Sequence, residues 1–339
     1  MAPKLIAVAG GTGTIGSWIV RALHNSPLYK PIILSRASTT HEENTSGITT
    51  ITFNTDPAMK ETYEIETRYV DYTSINSLTT SLSKVHTVVS TLLIPSAKMV
   101  DYQLNLLNAS IAAGVSRFAP SEFALCQEVH KLVDIDYAKI VVWDAVRDSV
   151  ERGDIDAAAF PCGMFMNYLA VGGGSKDEAR RETALAGFSE GALMFHPAGA
   201  QQGQGPWVEV PLTPDGKFPD VTMTDIRDIG KFIVAALGIQ EPWGGRELGM
   251  AGETRNLSEI IVIMQEVLGE EVEVRAVTRE ELQQRLDGLG ESDILGRIDL
   301  QYTMACGQGG SVVNGVLNEL CPEVKLATIR EFMQEAWGK

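Results

Sequence analysis

The fold of this 339-residue chain is decided by residues 10–16, Gly10-Gly11-Thr12-Gly13-Thr14-Ile15-Gly16. They follow a short apolar run, residues 5–9, and open a segment whose apolar residues recur at helical spacing. The stretch fits G-x-G-x-x-G, in which glycines allow a tight turn, close approach of a pyrophosphate to backbone N–H groups, and close packing of the helix on the sheet. Because it lies between a strand and a helix, it predicts a dinucleotide-binding loop.

A second predicted strand, residues 31–35, is followed directly by Arg36. Proteins that bind NAD place an acidic residue near this point, where it holds the ribose diol. A guanidinium there instead makes charge-assisted hydrogen bonds to a 2′-phosphate, each worth about 1.5 to 3 kcal/mol. Arg36 therefore predicts NADP(H) as the cofactor. Further cofactor contacts are predicted where other strands end, at Asp71, Thr91, Leu92, Leu93 and Ser121.

The first half of the chain alternates β-rich runs with helical patterns, which is typical of βαβ units and a parallel sheet. The predicted strands are residues 5–9, 31–35, 68–71, 87–92, 117–119 and 157–161. The predicted helices are residues 15–24, 75–83, 98–113 and 138–151. Six strands with intervening helices predict an α/β fold, a Rossmann-type doubly wound parallel sheet.

The pattern changes after residue 161. The turn composition Thr213-Pro214-Asp215-Gly216-Lys217, flanked by apolar runs, predicts a β-hairpin over residues 208–223. We expect residues 1–161 to form an NADP-binding Rossmann domain, completed by returning segments near 218–251, and residues 162–339 to form a smaller C-terminal α+β substrate-binding domain. Helix N-caps are predicted at Thr224, at Asn256 with Glu259, and at Thr328 with Glu331.

The composition excludes several classes of protein. With 44% hydrophobic and 21% charged residues the chain is globular, and a net charge of −16 without a basic patch argues against direct nucleic-acid binding. Pro161 and several glycines interrupt the longest uncharged stretch, residues 157–175, so no membrane span is expected. The four cysteines show no zinc or disulfide spacing and no secretion signal is visible; we expect no metal and a cytoplasmic protein.

Four stretches carry a family resemblance: residues 10–16, Leu34-Ser35-Arg36, Arg117-Phe118-Ala119-Pro120-Ser121-Glu122-Phe123, and Gly252 with residues 256–269. Across nearly its whole length the chain resembles the isoflavone reductase and NmrA-like group of atypical short-chain dehydrogenases. The resemblance implies an NADPH-binding Rossmann domain with a smaller substrate domain. Many relatives reduce aromatic or phenylpropanoid compounds, fungal relatives often act in secondary metabolism, and some NmrA-like members sense redox state without catalysis. We expect a fungal secondary-metabolism member.

Hydride transfer needs a group that protonates or polarises the acceptor. No tyrosine in the sequence is followed by lysine four residues later, so the Tyr/Lys pair of ordinary short-chain dehydrogenases is absent. The resemblance aligns Trp143 with the catalytic lysine of the isoflavone reductase group. Because indole supplies no titratable proton, we expect Trp143 to shape the substrate site. Lys139, one helical turn earlier, and Glu122 are the predicted catalytic residues.

Ligands of doubly wound folds bind beyond the carboxyl ends of the strands. The sequence places mostly large apolar side chains there, which suits a hydrophobic, aromatic or polycyclic ligand. The predicted substrate-binding residues are Phe123, Trp143, Met164, Phe165, Asn167, Tyr168 and His196.

Gly187-Phe188-Ser189-Glu190-Gly191 matches the G-x-S-x-G of serine hydrolases. That motif requires a preceding strand, with an aspartate and a histidine later in the chain. The preceding residues have a helical pattern instead, and no histidine follows His196. A serine hydrolase is therefore excluded.

Three functions stay open. The leading one is an NADPH-dependent reductase that acts on a C=C, C=N or C=O bond of a hydrophobic, aromatic or alkaloid-like small molecule. The missing family lysine motivates a non-redox enzyme, such as an iminium-type (Pictet-Spengler-like) cyclase that retains NADP(H) as a scaffold. The third is a non-catalytic NmrA-like redox sensor. A small-molecule partner and a monomer or homodimer are expected.

Overall fold

The computed structural model describes residues 2–38, 41–56, 59–94, 98–172, 178–199 and 204–338. Strands and helices alternate through most of its first half. In chain order these are β1 (Lys4–Ala9), α1 (Thr14–His24), β2 (Tyr29–Arg36), β3 (Ser46–Asp56), β4 (Met59–Val70), α2 (Ile75–Ser81), β5 (Thr87–Ser90), α3 (Lys98–Ala112), β6 (Arg117–Ala119), α4 (Tyr137–Glu151) and β7 (Asp156–Ala159).

The second half has shorter strands and more helices. Its elements are β8 (Met164–Phe165), α5 (Glu178–Leu185), β9 (Phe195–His196), β10 (Trp207–Pro211), β11 (Asp220–Thr224), α6 (Ile226–Gly238), β12 (Arg246–Glu247), β13 (Glu253–Asn256), α7 (Leu257–Leu268), β14 (Glu273–Val277), α8 (Arg279–Asp287), α9 (Ile294–Gly307), α10 (Val316–Leu320) and α11 (Ile329–Trp337). Short 3₁₀ helices lie at Gln127–Leu132, Asp134–Asp136 and Met166–Ala170.

The large sheet has eight strands in the order β12-β7-β6-β5-β1-β2-β4-β3. Its neighbours run parallel, except that β3 is antiparallel to β4. Strand order reverses at β1, so the loop after β1 lies at the topological switch point where doubly wound folds bind ligands. The predicted α/β, doubly wound fold is confirmed.

Alternate residues of β1 enter different cores, because successive side chains of a strand point to opposite faces. Ile6 and Val8 pack in a cluster with apolar residues of α1 and α6. Ala7 and Ala9 pack in a second cluster with residues of α2, α3 and α4. Helices therefore cover both faces of the sheet, and its central strand is an almost continuous apolar run, as burial on both faces requires.

Two three-stranded sheets lie in the second half, in the orders β14-β10-β9 and β13-β11-β8. β12 joins the large sheet instead, in parallel register with β7. A segment from the predicted returning region thus extends the first-half sheet. The division into domains at residue 161 stays a prediction.

The predicted hairpin over residues 208–223 is wrong. The turn forms, with the Thr213 N–H donating to the Lys217 carbonyl at 2.9 Å. The strands on either side of it, however, belong to different sheets: β10 pairs with β14 and β9, and β11 with β13 and β8. Turn composition fixes the local bend, but packing with distant strands selects the partners.

One of the three predicted N-caps is also wrong. Asp225, not Thr224, caps α6, since its carboxylate accepts a 2.9 Å hydrogen bond from the Arg227 N–H. The Thr224 hydroxyl donates to the Cys162 carbonyl at 2.8 Å and is no longer available as a cap. The capping boxes that begin at Asn256 and Thr328 are confirmed.

Candidate functional site

The glycine loop between β1 and α1 is held by a threonine from a neighbouring strand end. The Thr91 hydroxyl donates to the carbonyls of Ala9 and Gly10, at 2.9 and 3.1 Å. Gly10 has φ +77°. A Cβ on Gly16 would lie 2.2 Å from the Gly10 carbonyl oxygen and 2.6 Å from Thr91 Oγ1. Residue 16 therefore has to be glycine. The loop of residues 10–16 forms a concave surface lined by backbone groups, which we call the glycine cradle.

The first turn of α1 is suited to an anion. Its N-cap is Gly13, which provides no side-chain oxygen for the N–H groups of that turn, and residues 14–17 contain no acidic side chain. Thr12 and Gly13 are exposed at the tip of the loop, while Thr14 and Ile15 are half-buried. Unpaired N–H groups and the positive end of the helix dipole attract phosphate.

The other predicted cofactor residues lie at neighbouring strand ends. Arg36 is the exposed last residue of β2, in register with Val70 of β4. Asp71 follows β4, and its carboxylate accepts hydrogen bonds from the N–H and hydroxyl of Thr73, all at 2.8 Å. After β5, Leu93 is 65% exposed. Because these strands are parallel, their carboxyl ends place a cation and an apolar surface along one edge beside the cradle.

Lys139, in the first turn of α4, lies beside a buried polar network. Its Nζ donates to the Ser121 carbonyl at 3.4 Å and lies 3.8 Å from Asp136 Oδ1. Asp136 also accepts a 2.9 Å hydrogen bond from the Tyr302 hydroxyl, and His130 Nδ1 lies 2.9 Å from its Oδ2. The network joins α4 to α9, a helix that follows it by more than 140 residues in the chain.

The network holds charged groups away from water. Burial would raise the pKa of Asp136, but Lys139, His130 and Tyr302 together lower it below its usual value. Burial would lower the pKa of His130, but its hydrogen bonds to Asp136 and Glu122 raise it overall. Paired in this way, the buried charges are stabilised by one another.

Glu122, one of the two predicted catalytic residues, belongs to this network. It is 1% exposed, and its Oε2 accepts a 2.8 Å hydrogen bond from the Gln127 amide and lies 3.1 Å from His130 Nε2. The Glu122 carboxylate therefore contacts other side chains of the protein, Gln127 and His130. The catalytic role of Glu122 stays a prediction.

Sequence reasoning missed Glu190, an exposed residue. The Tyr168 hydroxyl donates to Glu190 Oε2 at 3.0 Å, and the Tyr168 ring packs on Phe188 with centroids 4.8 Å apart. Phe165 packs on both rings. Glu190 is the fourth residue of the G-x-S-x-G match, a motif whose reactive residue is the serine. Helix α5 precedes that match, which confirms that it is not the strand-to-helix turn of a hydrolase.

The remaining predicted substrate residues do not converge. Trp143 is 6% exposed and belongs to the cluster beneath α2, α3 and α4, whereas Phe165 and Tyr168 pack against the cluster on the other face. Asn167 is buried, its amide donating to the Ala184 carbonyl at 2.9 Å and its oxygen accepting from the Ile226 N–H at 3.1 Å.

The other three are also packed against protein groups. Phe123 is buried and stacks on Phe160, and Met164 is buried in β8. His196 stacks on Trp207 with centroids 3.6 Å apart, in the β14-β10-β9 sheet. Of the seven predicted substrate residues, the structure brings Phe165 and Tyr168 together beside Glu190. Substrate contacts by all seven stay predictions.

The part of the chain that the structure describes offers neither a metal site nor a membrane-spanning helix. No group of three or more His, Cys, Asp or Glu side chains there is arranged to hold a metal ion. Within the same ranges, none of the helices has the length and apolar character needed to cross a membrane.

The sheet order and the glycine cradle at its switch point define a Rossmann-type α/β protein. The chain belongs to the NmrA-like family, whose model matches residues 2–308, so the predicted resemblance is confirmed. A curated relative, Oxidoreductase BOA1 of Botryotinia fuckeliana (strain B05.10), is 27% identical over 270 residues, 78% of this chain and 76% of the relative.

Solved structures share the fold at low sequence identity. The crystal structure of isoflavone reductase is 17% identical, with a TM-score of 0.68 and coverage of 98% of this chain and 99% of that one. The structure of AtPrR2 with NADP+ and (+)pinoresinol is also 17% identical, with a TM-score of 0.66 and coverage of 98% of each chain. At this identity the likeness concerns the fold.

Proposed function

We propose that the chain is an NADPH-dependent reductase that acts on a C=C, C=N or C=O bond of a hydrophobic, aromatic or alkaloid-like small molecule. The observation that carries the proposal is the glycine cradle braced by Thr91, in which a Cβ on Gly16 would collide with two neighbouring atoms. Such a cradle is built for the close approach of a pyrophosphate. Bound NADPH would supply a hydride to the substrate.

The residues present fit this cofactor. The N–H groups at residues 14–16, in the first turn of α1, would hold the pyrophosphate, and Arg36 at the end of β2 would pair with the 2′-phosphate. Asp71, Thr91, Leu92, Leu93 and Ser121 would border the nucleotide from the other strand ends. The name of the curated relative as an oxidoreductase and the NADP+ in the AtPrR2 structure support this assignment.

The aromatic group Phe165, Tyr168 and Phe188 supports an apolar substrate. Flat aromatic side chains around a few polar groups favour ligands with rings of their own. Residues 162–339, which contribute this group, would form the substrate-binding domain, and residues 1–161 the NADP-binding domain.

Two measurements test the proposal. Titration with NADPH and NADH, followed by cofactor fluorescence, should show tighter binding of NADPH. NADPH absorbance should then fall in the presence of at least one acceptor from a panel that includes an o-quinone, an aromatic aldehyde, a conjugated enone and a cyclic imine. Conversion of an acceptor without net loss of NADPH would establish the non-redox alternative. Tight NADPH binding with no turnover of any acceptor would contradict the reductase.

A further inference from the structure

The loop of residues 186–191, which carries Glu190, is tied to the cofactor end of α1. The Trp18 indole N–H donates to the Ala186 carbonyl at 2.8 Å, and the Thr14 hydroxyl donates to the Gly187 carbonyl at 3.3 Å. Thr14 belongs to the glycine motif, so Gly187 lies at the proposed phosphate site. Three residues of chain span at most about 11 Å, which keeps Glu190 within that reach of the site.

The loop is shaped for this position. Ala186 has φ +52° and Gly187 has φ +84°, so the chain reverses sharply as α5 ends. A left-handed conformation at a non-glycine residue is unfavourable and persists only where surrounding contacts hold it. The hydrogen bond from Trp18 provides such a contact at Ala186.

The Glu190 carboxyl combines access to solvent with an apolar wall. The residue is exposed, yet protein atoms around its carboxyl raise its pKa above the usual value, against the opposing effects of the Tyr168 hydrogen bond and the Lys139 charge. Asp299 and Tyr302 of α9 are the other titratable groups that interact with it. An exposed residue whose carboxyl is hydrogen-bonded to Tyr168, with the Tyr168 ring packed against Phe165 and Phe188, is placed to meet a ligand.

We propose that Glu190, oriented by the Tyr168 hydroxyl, is the acid that protonates the substrate. This rests on the proposed function. As the substrate carbon takes the hydride that bound NADPH supplies, the neighbouring N, O or C atom takes the proton from the Glu190 carboxyl. The two electrons of the hydride saturate the double bond, NADP+ remains, and the Glu190 carboxylate regains a proton from solvent.

The other candidate acids are less well placed. Glu122 is 1% exposed and hydrogen-bonded on Oε2 by Gln127. Lys139 is engaged with Asp136 and the Ser121 carbonyl. Its positive charge favours the ionised form of Glu190, so Lys139 would set the pH range over which Glu190 gives and regains its proton.

The first test observes the proton directly. In the NADP+-bound protein with ¹³C-labelled glutamate carboxyls, the resonance missing from Glu190→Gln identifies Glu190. Its midpoint should lie above that of a free glutamate, and Lys139→Met should move it further up. Titration at or below the free value in the wild type would overturn the proposal, as would no response to Lys139→Met.

The second test uses turnover, with NADPH and two probes, 3,4-dihydroisoquinoline and 9,10-phenanthrenequinone. Glu190→Gln should lower kcat about 10²- to 10⁴-fold with NADPH affinity unchanged, and Glu190→Asp should restore part of it. Tyr168→Phe removes a hydrogen bond that lowers the pKa of Glu190, so it should shift the alkaline limb of the pH profile, where Glu190 loses its proton, to higher pH. Ser189→Ala, in the same loop, is the matched control and should match the wild type.

The outcomes separate the two proposals. Wild-type kcat in Glu190→Gln overturns the role of Glu190 and leaves the reductase intact. If the wild type oxidises no NADPH with either probe or with the acceptor panel, the proposed function fails, and the role of Glu190 fails with it.

Discussion

Trp18 and Ala186 are joined by a buried 2.8 Å hydrogen bond between the indole N–H and the backbone carbonyl, 168 residues apart in the chain. Trp18 belongs to the helix whose N-terminus forms the glycine cradle, and Ala186 begins the loop that carries Glu190. Packing between Trp18 and Phe53 of β3, with centroids 5.0 Å apart, fixes the indole from its other side. The cofactor side and the substrate side of the proposed site thus share one rigid contact.

We expect Trp18→Phe to destabilise the protein by about 1 to 3 kcal/mol, because it leaves the Ala186 carbonyl buried without its donor. Urea denaturation measures this change. Trp337→Phe is the matched control. Trp337 lies at the end of α11, and its indole N–H donates to the Leu169 carbonyl at 2.7 Å. Both variants should lose stability, but only Trp18→Phe should also weaken NADPH binding. Equal NADPH affinity in the two would show that the loop and the cradle are independent.

Gly16→Ala should abolish NADPH binding. The added Cβ would lie 2.2 Å from a backbone oxygen that cannot move without breaking the turn. Gly238→Ala is the control: it lies at the end of α6 with open space around its Cβ position, and the substitution should be neutral or stabilise by about 0.4 to 1 kcal/mol. Isothermal calorimetry measures the binding. Wild-type affinity in Gly16→Ala would contradict the cradle.

The sequence predicted the sheet well where local signals and tertiary structure agree. The first βα junction and the strands 117–119 and 31–35 have glycines, turns and apolar runs that point to one structure. The long β3–β4 hairpin was recognised only at residues 68–71. Its strands are rich in threonine and charge. Its position depends on long-range pairs: β4 pairs with β2, and Arg21 of α1 forms an ion pair with Glu61 at 2.7 Å. Such long-range pairs leave no periodic pattern.

Arg36→Asp should weaken NADP(H) binding more than tenfold and leave NAD(H) binding nearly unchanged. The substitution removes the partner of the 2′-phosphate and places a like charge beside it. Arg147→Asp, on the exposed surface of α4, introduces the same charge change elsewhere and should leave both affinities unchanged. Titration of each variant with both cofactors decides the matter, and unchanged NADP(H) affinity in Arg36→Asp would disprove the role of Arg36.

His130 should make stability depend on pH. Its hydrogen bonds to Asp136 and Glu122 raise its pKa above 6.5 despite burial. A raised pKa contributes stability that is fully present below pH 6.5 and is lost as pH rises through the folded-state pKa. The stability advantage of wild type over His130→Gln should therefore shrink as pH rises above 6.5 in urea titrations. Tyr302→Phe, which removes a hydroxyl from Asp136 but keeps the histidine, should retain the pH dependence.

The site was harder to predict than the fold. The glycine motif follows β1 and Arg36 ends β2, and the order of the strands brings these two ends together. Glu190 reaches the site through an irregular loop, and Asp136 acquires one of its partners, Tyr302, from a helix 166 residues later, so neither arrangement has a local signature. Trp143 was expected at the substrate because a sequence alignment gives the position along a helix but not the face that the packing buries.

Trp143→Ala separates the sequence prediction from the packing. A wall of the substrate site would raise KM by losing about 1 to 3 kcal/mol of aromatic contact. In the structure Trp143 lies in the core with Val142 and Val146, so we expect a loss of about 3 to 5 kcal/mol of stability and an unchanged KM in the folded protein. Trp143→Leu fills more of the cavity and provides a variant that folds for the steady-state assay. Lys139→Met, measured beside it, should alter the pH profile of kcat and lose stability, because it removes a charge that stabilises buried Asp136. A raised KM in Trp143→Leu at full stability would restore the substrate role.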